Sequence, residues 1–69
     1  MSTYWEGNPI TDCEICGGAI TIFFVDGKTK SGPWGVMCLG CHKIHGVGLG
    51  TGKGQQYEKQ MSGRWLKVA

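Results

Sequence analysis

The chain has 69 residues, a formal net charge of +2 at pH 7, 13 glycines and four cysteines. A chain this short buries only about 60% of its unfolded surface, so a hydrophobic core alone stabilises it weakly. Its aromatic content and low proportion of charged residues exclude a disordered tail, and no segment approaches the roughly 20 apolar residues of a membrane-spanning helix. We expect one domain with an additional crosslink, which the cysteines can supply.

The lead-in segment, residues 1–12, contains the adjacent aromatic residues Tyr4 and Trp5. Exposing a tryptophan ring is costly in a protein with so little core, so we expect this pair to dock on the sheet. The first eight residues have neither the basic start nor the apolar run of a signal peptide. We therefore expect a cytoplasmic location, where thiols stay reduced and paired cysteines more often bind metal.

A central hairpin is predicted between the two cysteine pairs. Residues 19–25 are mostly β-branched or aromatic, which predicts a strand. Asp26-Gly27 follows, and this dipeptide favours a two-residue turn because glycine tolerates a positive φ. With that turn, Cys16 is expected opposite Met37, so the hairpin returns the second cysteine pair to the first. Gly32-Pro33 is the expected position of a one-residue bulge.

The four cysteines follow the pattern C-x2-C-x21-C-x2-C, at Cys13, Cys16, Cys38 and Cys41. Two intervening residues let both thiolates of a pair reach one ion, and four thiolates in a tetrahedral array suit a closed structural Zn²⁺ site. The long interval slightly exceeds the usual range of about 15–20 residues, and the hairpin accounts for it. The prediction is a small metal-stabilised β-rich domain over residues 1–69: a zinc ribbon with two C-x2-C knuckles and an antiparallel β-sheet.

Other interpretations of the cysteines remain open. Iron fits four thiolates as well as zinc does, although rubredoxin-like proteins normally have glycine where this chain has His42. Residues 38–42 match the C-x-x-C-H haem-attachment pattern, but haem would leave Cys13 and Cys16 unused. Disulfides and a thiol–disulfide active site are further alternatives. We expect His42 and His45 to be surface or packing residues, because four cysteines already complete a tetrahedral site.

Residues 42–56 form a glycine-rich loop, with glycine at every second position from 46 to 54. The segment fits neither a P-loop nor the G-x-G-x-x-G pattern. If it is extended, one side is bare backbone, which suits close packing or the close approach of a partner. We favour the partner, because Thr51 and Lys53 accompany the glycines and can contact a phosphate.

Residues 57–69 predict a C-terminal hairpin, and a short helix over residues 55–61 is the alternative. With Ser62-Gly63 as the turn of the hairpin, Glu58 is expected opposite Lys67, which is a favourable cross-strand charge pair.

The charges divide unevenly along the chain. Residues 1–27 hold four acidic residues and no lysine or arginine, whereas residues 28–69 hold seven basic residues and one acid, Glu58. With so few acidic residues after the second knuckle, the chain offers few candidate catalytic side chains. We therefore expect a protein that is not an enzyme. The basic half predicts a surface for nucleic acid, with tryptophan for base stacking. The candidate partner-binding residues are Lys28, Lys30, Trp34, Lys43, Gly50, Thr51, Gly52, Lys53, Arg64 and Trp65.

Three segments carry a resemblance to a known group: CEICGG from Cys13, FFVDGKTKSGPWGVMC from Phe23, and CHKIHGVGLGTGKGQQYEK from Cys41. Over about two-thirds of its length the chain resembles small zinc-ribbon proteins encoded by tailed bacteriophages. The resemblance implies a zinc-ribbon fold and expression in the cytoplasm of a bacterial host, but no particular activity.

Two functions follow as hypotheses. One is a recognition module that binds nucleic acid or the host transcription or replication machinery. The other is a host-protein inhibitor or adaptor that acts by protein–protein contact alone. Neither involves a membrane or a small-molecule substrate.

Overall fold

The computed structural model describes residues 3–69, so Met1 and Ser2 of the predicted lead-in lie outside the described residues. The elements, in chain order, are β1 (Phe23–Lys28), β2 (Trp34–Met37), α1 (Leu39–His45), β3 (Gly54–Lys59) and β4 (Trp65–Lys67). The strands form one antiparallel sheet in the order β2-β1-β3-β4. Within residues 3–69, no helix is both long enough and apolar enough to span a bilayer.

The first hairpin is present, but its predicted turn and register are wrong. Asp26-Gly27 lies inside β1, which begins four residues later than predicted, and Val25 pairs with Met37. Gly27 does not form a turn. Its lack of a side chain instead allows β1 and β3 to pack closely. A Cβ on Gly27 would lie 3.0 Å from the carbonyl oxygen of Lys53 and 3.2 Å from the Cα of Gly54, its partner in β3.

The connection between β1 and β2 occupies residues 29–33, where a threonine and a glycine make the turn. The backbone N–H and the Oγ1 of Thr29 both donate to the carbonyl oxygen of Pro33, at 3.0 and 2.8 Å. Gly32 has a φ of +116°, a conformation that glycine adopts without the steric cost of a Cβ. The predicted bulge at Gly32-Pro33 is therefore part of this loop.

The second hairpin joins β3 to β4, and the alternative of a helix is wrong. The Gln60 N–H donates to the carbonyl oxygen of Arg64 at 2.7 Å, and Gly63 turns the chain with a φ of +89°. This loop shifts the register by one residue from the prediction. Glu58 consequently pairs with Leu66, and the predicted pair of Glu58 with Lys67 is not formed.

Aromatic rings from three strands and the lead-in form much of the core. Phe24 is fully buried, stacks on Tyr57 at 5.0 Å between ring centroids and meets Trp65 edge-on at 4.9 Å. Trp5 contacts Phe24 and Tyr57 edge-on, at 5.3 and 5.6 Å. The Trp5 N–H donates to the carbonyl oxygen of Trp65 at 2.9 Å. The predicted docking of the lead-in on the sheet is confirmed.

The predicted loop over residues 42–56 is shorter in the structure, because α1 extends to His45 and β3 begins at Gly54. Between them, the glycine-rich loop is tight and is not an extended strand with one bare side. Gly48, Gly50 and Gly52 have φ values of +124°, +116° and +79°. Reciprocal backbone hydrogen bonds of 2.8 and 3.0 Å between Gly50 and Gly54 close the loop immediately before β3. Left-handed backbone conformations, which other residues adopt only at a cost, thus account for these three glycines. At Gly46 and Gly54, by contrast, a Cβ would crowd neighbouring atoms.

Candidate metal centre

A tight turn presents each pair of cysteines. In the first knuckle, the Cys13 N–H donates to the carbonyl oxygen of Gly18 at 2.8 Å, and the Gly17 N–H donates back to that of Cys13 at 2.9 Å. Gly17 has a φ of +74°, which this turn requires. In the second knuckle, Cys38 is the residue before α1 and Cys41 lies in the first turn of the helix. A loop and a helix start therefore supply two thiols each.

Hydrogen bonds between Glu14 and Val36 hold the first knuckle against β2. The Glu14 N–H donates to the carbonyl oxygen of Val36 at 2.9 Å, and Glu14 Oε1 accepts the Val36 N–H at 2.6 Å. Gly35 leaves room for this carboxylate, since a Cβ there would lie 3.2 Å from Glu14 Oε1. Because Cys38 follows two residues after Val36, the contact brings the two cysteine pairs together. It replaces the predicted opposition of Cys16 and Met37.

The geometry of the four thiols fits one tetrahedral zinc ion. The four Sγ atoms all lie within 4.8 Å of one another, and those of Cys16 and Cys38 are 3.9 Å apart. A Zn–S distance of about 2.3 Å corresponds to S···S edges of about 3.8 Å in a regular tetrahedron. The cluster therefore reaches zinc geometry with a contraction of at most about 1 Å along any edge. Cys13, Cys16, Cys38 and Cys41 form a site for a single structural Zn²⁺.

Backbone N–H groups surround the sulfurs and favour their charged form. The Ile15 N–H points at the Sγ of Cys13 and the Gly18 N–H at the Sγ of Cys16, both at 3.4 Å. Such contacts spread the negative charge of a thiolate and orient it toward a metal. Gly17 and Gly18, directly after Cys16, let the backbone turn in this way.

The thiols of the two buried cysteines differ in pKa. Burial raises the pKa of Cys13, but backbone hydrogen bonds from Cys16, Cys38 and Ile15 outweigh it and lower the pKa to about 6. Burial, followed by hydrogen bonds with the other three thiols, raises the pKa of Cys41 to about 12. Cys13 is therefore the thiol of the cluster that ionises most readily, and a bound zinc ion would favour the thiolate form of the others.

The two histidines are engaged outside this cluster. The His42 Nε2–H donates to the carbonyl oxygen of Gly48 at 3.0 Å, which joins α1 to the glycine-rich loop. His45 is exposed at the end of α1, and its carbonyl oxygen accepts the Lys30 N–H at 2.7 Å. The metal-ligating cluster found within residues 3–69 consists of the four cysteines.

Most of the candidate partner-binding residues meet at one end of the sheet. Lys28 pairs with Trp34 across the first hairpin, and its N–H donates to the carbonyl oxygen of Lys53 at 2.8 Å. The hydrogen bond from Lys30 to His45 adds the C-terminal turn of α1, which carries Lys43. We call this region the basic end, and it comprises Lys28, Lys30, Trp34, Lys43, Gly50, Thr51, Gly52 and Lys53.

Arg64 and Trp65 lie at the opposite end of the sheet, beside the second hairpin loop. The Arg64 guanidinium carbon lies 3.8 Å from the centroid of the Tyr4 ring. Trp65 is 7% exposed and packs edge-on against Phe24, so its ring has no free face for a base. The assignment of Trp65 to the partner surface is wrong, and Arg64 is separated from the basic end by the length of β3, about 17–20 Å.

A groove next to the first knuckle is a feature that sequence reasoning missed. Its volume is about 450 Å³, and it is lined in part by Ile15, Thr29, Ser31, Pro33, Trp34 and His45. These residues come from the first knuckle, the first hairpin loop, β2 and the end of α1. No local signal marks such a groove, because it exists only where the first knuckle and the end of α1 meet the first hairpin.

No family model, curated protein or solved structure matches the chain. The class follows from the fold and the site themselves. A four-stranded antiparallel sheet with two C-x2-C knuckles converging on one tetrahedral thiolate site is a zinc ribbon. The chain is a small metal-binding domain of this class.

Proposed function

We propose that this zinc ribbon is a non-enzymatic recognition module that binds nucleic acid through its basic end. The proposal includes a bacteriophage origin and action in the cytoplasm of a bacterial host, which the sequence resemblance suggests. The observation that carries it is that Lys28, Lys30, Lys43 and Lys53 are all exposed at one end of the sheet, where Lys28 pairs directly with the half-exposed Trp34.

Local charge matters here more than net charge. Zinc held by four thiolates adds about −2 to the formal charge of +2, so the holo protein is close to neutral. A neutral molecule attracts a polyanion only where its cations are concentrated within about one Debye length, roughly 8 Å at physiological salt. Backbone contacts between Lys28 and Lys53 and between Lys30 and His45 support such a concentration at the basic end.

The test is the salt dependence of nucleic-acid binding by the zinc-loaded protein. We expect affinity for a fluorescent oligonucleotide to fall steeply with salt, since each phosphate contact adds about 0.7 to 0.9 to the slope of log K against log salt. The variant Lys28→Ala/Lys30→Ala should reduce this slope by about 1 to 2. The control Lys59→Ala/Lys67→Ala removes the same charge from β3 and β4, away from the basic end, and should have a smaller effect.

Equal losses in the two double variants would assign binding to net charge and contradict a specific basic end. Absence of binding at low salt would remove nucleic acid as the partner.

Exposed apolar side chains support a second candidate, a host-protein inhibitor or adaptor that acts by protein contact. Ile44 is 64% exposed on α1, and Leu39 and Val47 flank it along the chain with about two-fifths of their surface exposed. Exposed apolar side chains of this kind can contribute to the centre of a protein interface. Loss of a co-purifying host protein in Ile44→Glu, with oligonucleotide binding unchanged, would favour this function.

A further inference from the structure

Trp34 is the most exposed of the three tryptophans, all of which lie within residues 3–69. It is 49% exposed, whereas Trp65 is 7% exposed and Trp5 packs against the aromatic core. A buried tryptophan is among the largest apolar contributions that a small core can receive. Leaving this ring outside the core is therefore costly for a chain of 69 residues. A binding role for the exposed ring would account for that cost.

The groove beside Trp34 has the size and chemistry to hold a planar heterocycle. Its volume of about 450 Å³ falls in the range of small-ligand sites, about 300 to 1,000 Å³. Ile15 and Pro33 supply apolar contact beside the indole, and the hydroxyls of Thr29 and Ser31 lie 3.0 Å apart in the same wall. Aromatic and apolar surface with a few polar groups is the usual composition of a site for a nucleobase.

Positive charge flanks the groove on the side of the first hairpin loop. Lys28 pairs directly with Trp34, and Lys30 lies between two residues of the groove wall, Thr29 and Ser31. The acid of the groove is Glu14, whose Oε1 is held by the Val36 N–H at 2.6 Å on the side of the first knuckle. This distribution of charge favours a ligand whose phosphates lie beside the lysines and whose uncharged part lies in the groove.

This arrangement selects single-stranded nucleic acid. An indole ring stacks on a base only if a face of that base is free, and in a duplex both faces are already stacked on neighbouring bases. We propose that the groove binds one unpaired nucleobase stacked on Trp34, with the adjoining phosphates on Lys28 and Lys30. This inference rests on the proposed function and names the class of nucleic acid.

The experiment compares three fluorescein-labelled probes against the zinc-loaded protein at one salt concentration. The probes are a thymidine oligonucleotide of about 12 nucleotides, an abasic strand with the same phosphates, and a duplex of the same length. We expect the thymidine strand to bind tightest and to quench Trp34 fluorescence. Trp34→Ala should weaken its binding about tenfold or more, and Trp34→Phe should restore most of the affinity. Neither variant should change the affinity for the abasic strand.

Met61→Ala is the control, because Met61 is a fully exposed apolar residue in the distant hairpin loop. Zinc content and circular dichroism establish that every variant is folded. Unchanged thymidine binding in Trp34→Ala, together with a loss in Lys28→Ala/Lys30→Ala, would overturn the base site and leave the proposed function standing. Duplex binding as tight as single-strand binding would also overturn it. Failure of all three probes to bind would contradict the proposed function itself.

Discussion

His42 and His45 stand next to a metal site without belonging to it. The His42 ring holds the glycine-rich loop through Gly48, and His45 ends α1 beside Lys30. The four thiols supply every ligand of a tetrahedral ion. The roles of these histidines are therefore in packing and at the surface.

We expect His42→Ala and His45→Ala to retain one zinc ion per chain. His42→Ala should also melt at a lower temperature, because it loses the hydrogen bond to Gly48. Elemental analysis of the purified variants and a thermal melt measure both effects. Substoichiometric zinc in either variant would contradict the four-cysteine site.

Asp26 is a half-buried carboxylate at the centre of β1. Burial and then the negative charge of Glu14 raise its pKa above the ordinary value of 3.8. A carboxyl whose folded pKa is raised stabilises the fold most at pH values below its unfolded pKa. That contribution is lost as pH rises through the raised value. The ionised form present at neutral pH is therefore unfavourable to the fold.

Asp26→Asn is expected to raise the melting temperature near pH 7, because the amide cannot ionise. The gain should shrink as the pH is lowered, because the wild-type carboxyl is then more often protonated. Thermal melts at pH 7 and at a lower pH at which zinc is still bound measure this difference. Asp12→Asn, at an exposed position, is the matched control. A lower melting temperature for Asp26→Asn at neutral pH would show that the ionised carboxylate of Asp26 stabilises the fold.

At the scale of the elements, the hairpin loops and the glycine-rich loop all turn at glycines of positive φ. Gly32, Gly50, Gly52 and Gly63 each have a φ between +79° and +116°, and a Cβ on any of them would meet no other atom within 4 Å. Backbone strain, and not lack of space, therefore opposes substitution at these positions.

Gly52→Ala and Gly50→Ala should each lower the stability by about 1–2 kcal/mol, the cost of a left-handed conformation with a Cβ. Gly40→Ala is the control, for which we expect a change in stability of the opposite sign. Gly40 lies inside α1 with no atom near its Cβ position, so alanine should stabilise the helix by about 0.5–1 kcal/mol. Denaturant melts of the zinc-loaded variants compare them. Unchanged stability in Gly52→Ala would mean that the loop relaxes, and a role in partner contact would then be the remaining explanation for this glycine.

For the whole molecule, zinc is expected to hold parts of the fold that the core joins only weakly. Cys13 and Cys41 are buried among the core residues, whereas Cys16 is exposed. An ion held by these four cysteines would lie between the core and the surface and would tie the first knuckle to α1 and β2. A structural zinc site of this kind contributes apparent folding energies of about 10–16 kcal/mol, which exceeds what a chain of this size obtains from its core.

Removing the metal should unfold the domain. Circular dichroism during titration with a strong chelator is expected to show loss of the sheet, and re-addition of Zn²⁺ should restore it. Acidification should have the same effect, since the thiolates must lose protons to bind metal and affinity falls as pH falls. A folded, metal-free protein at pH 7 would contradict this view of the site, and metal analysis before chelation distinguishes zinc from iron.

The metal site could be predicted from the sequence because its main constraint is local. Two residues between Cys13 and Cys16, and again between Cys38 and Cys41, let each pair reach one ion whatever the rest of the chain does. The existence of both hairpins could also be predicted, from the strand patterns on either side of each turn.

Only the tertiary structure decided the registers of the strands, and these determine which side chains lie at the surface. Asp26-Gly27 has the composition of a turn, yet Gly27 is needed inside β1 to face Gly54 of a distant strand. A shift of one residue in a strand exchanges the side chains on its two faces. Such shifts decide which tryptophan is buried, and they put Trp65 in the core while Trp34 stays exposed beside the lysines. Contacts between residues far apart in the chain control this choice, and local sequence patterns carry no information about them.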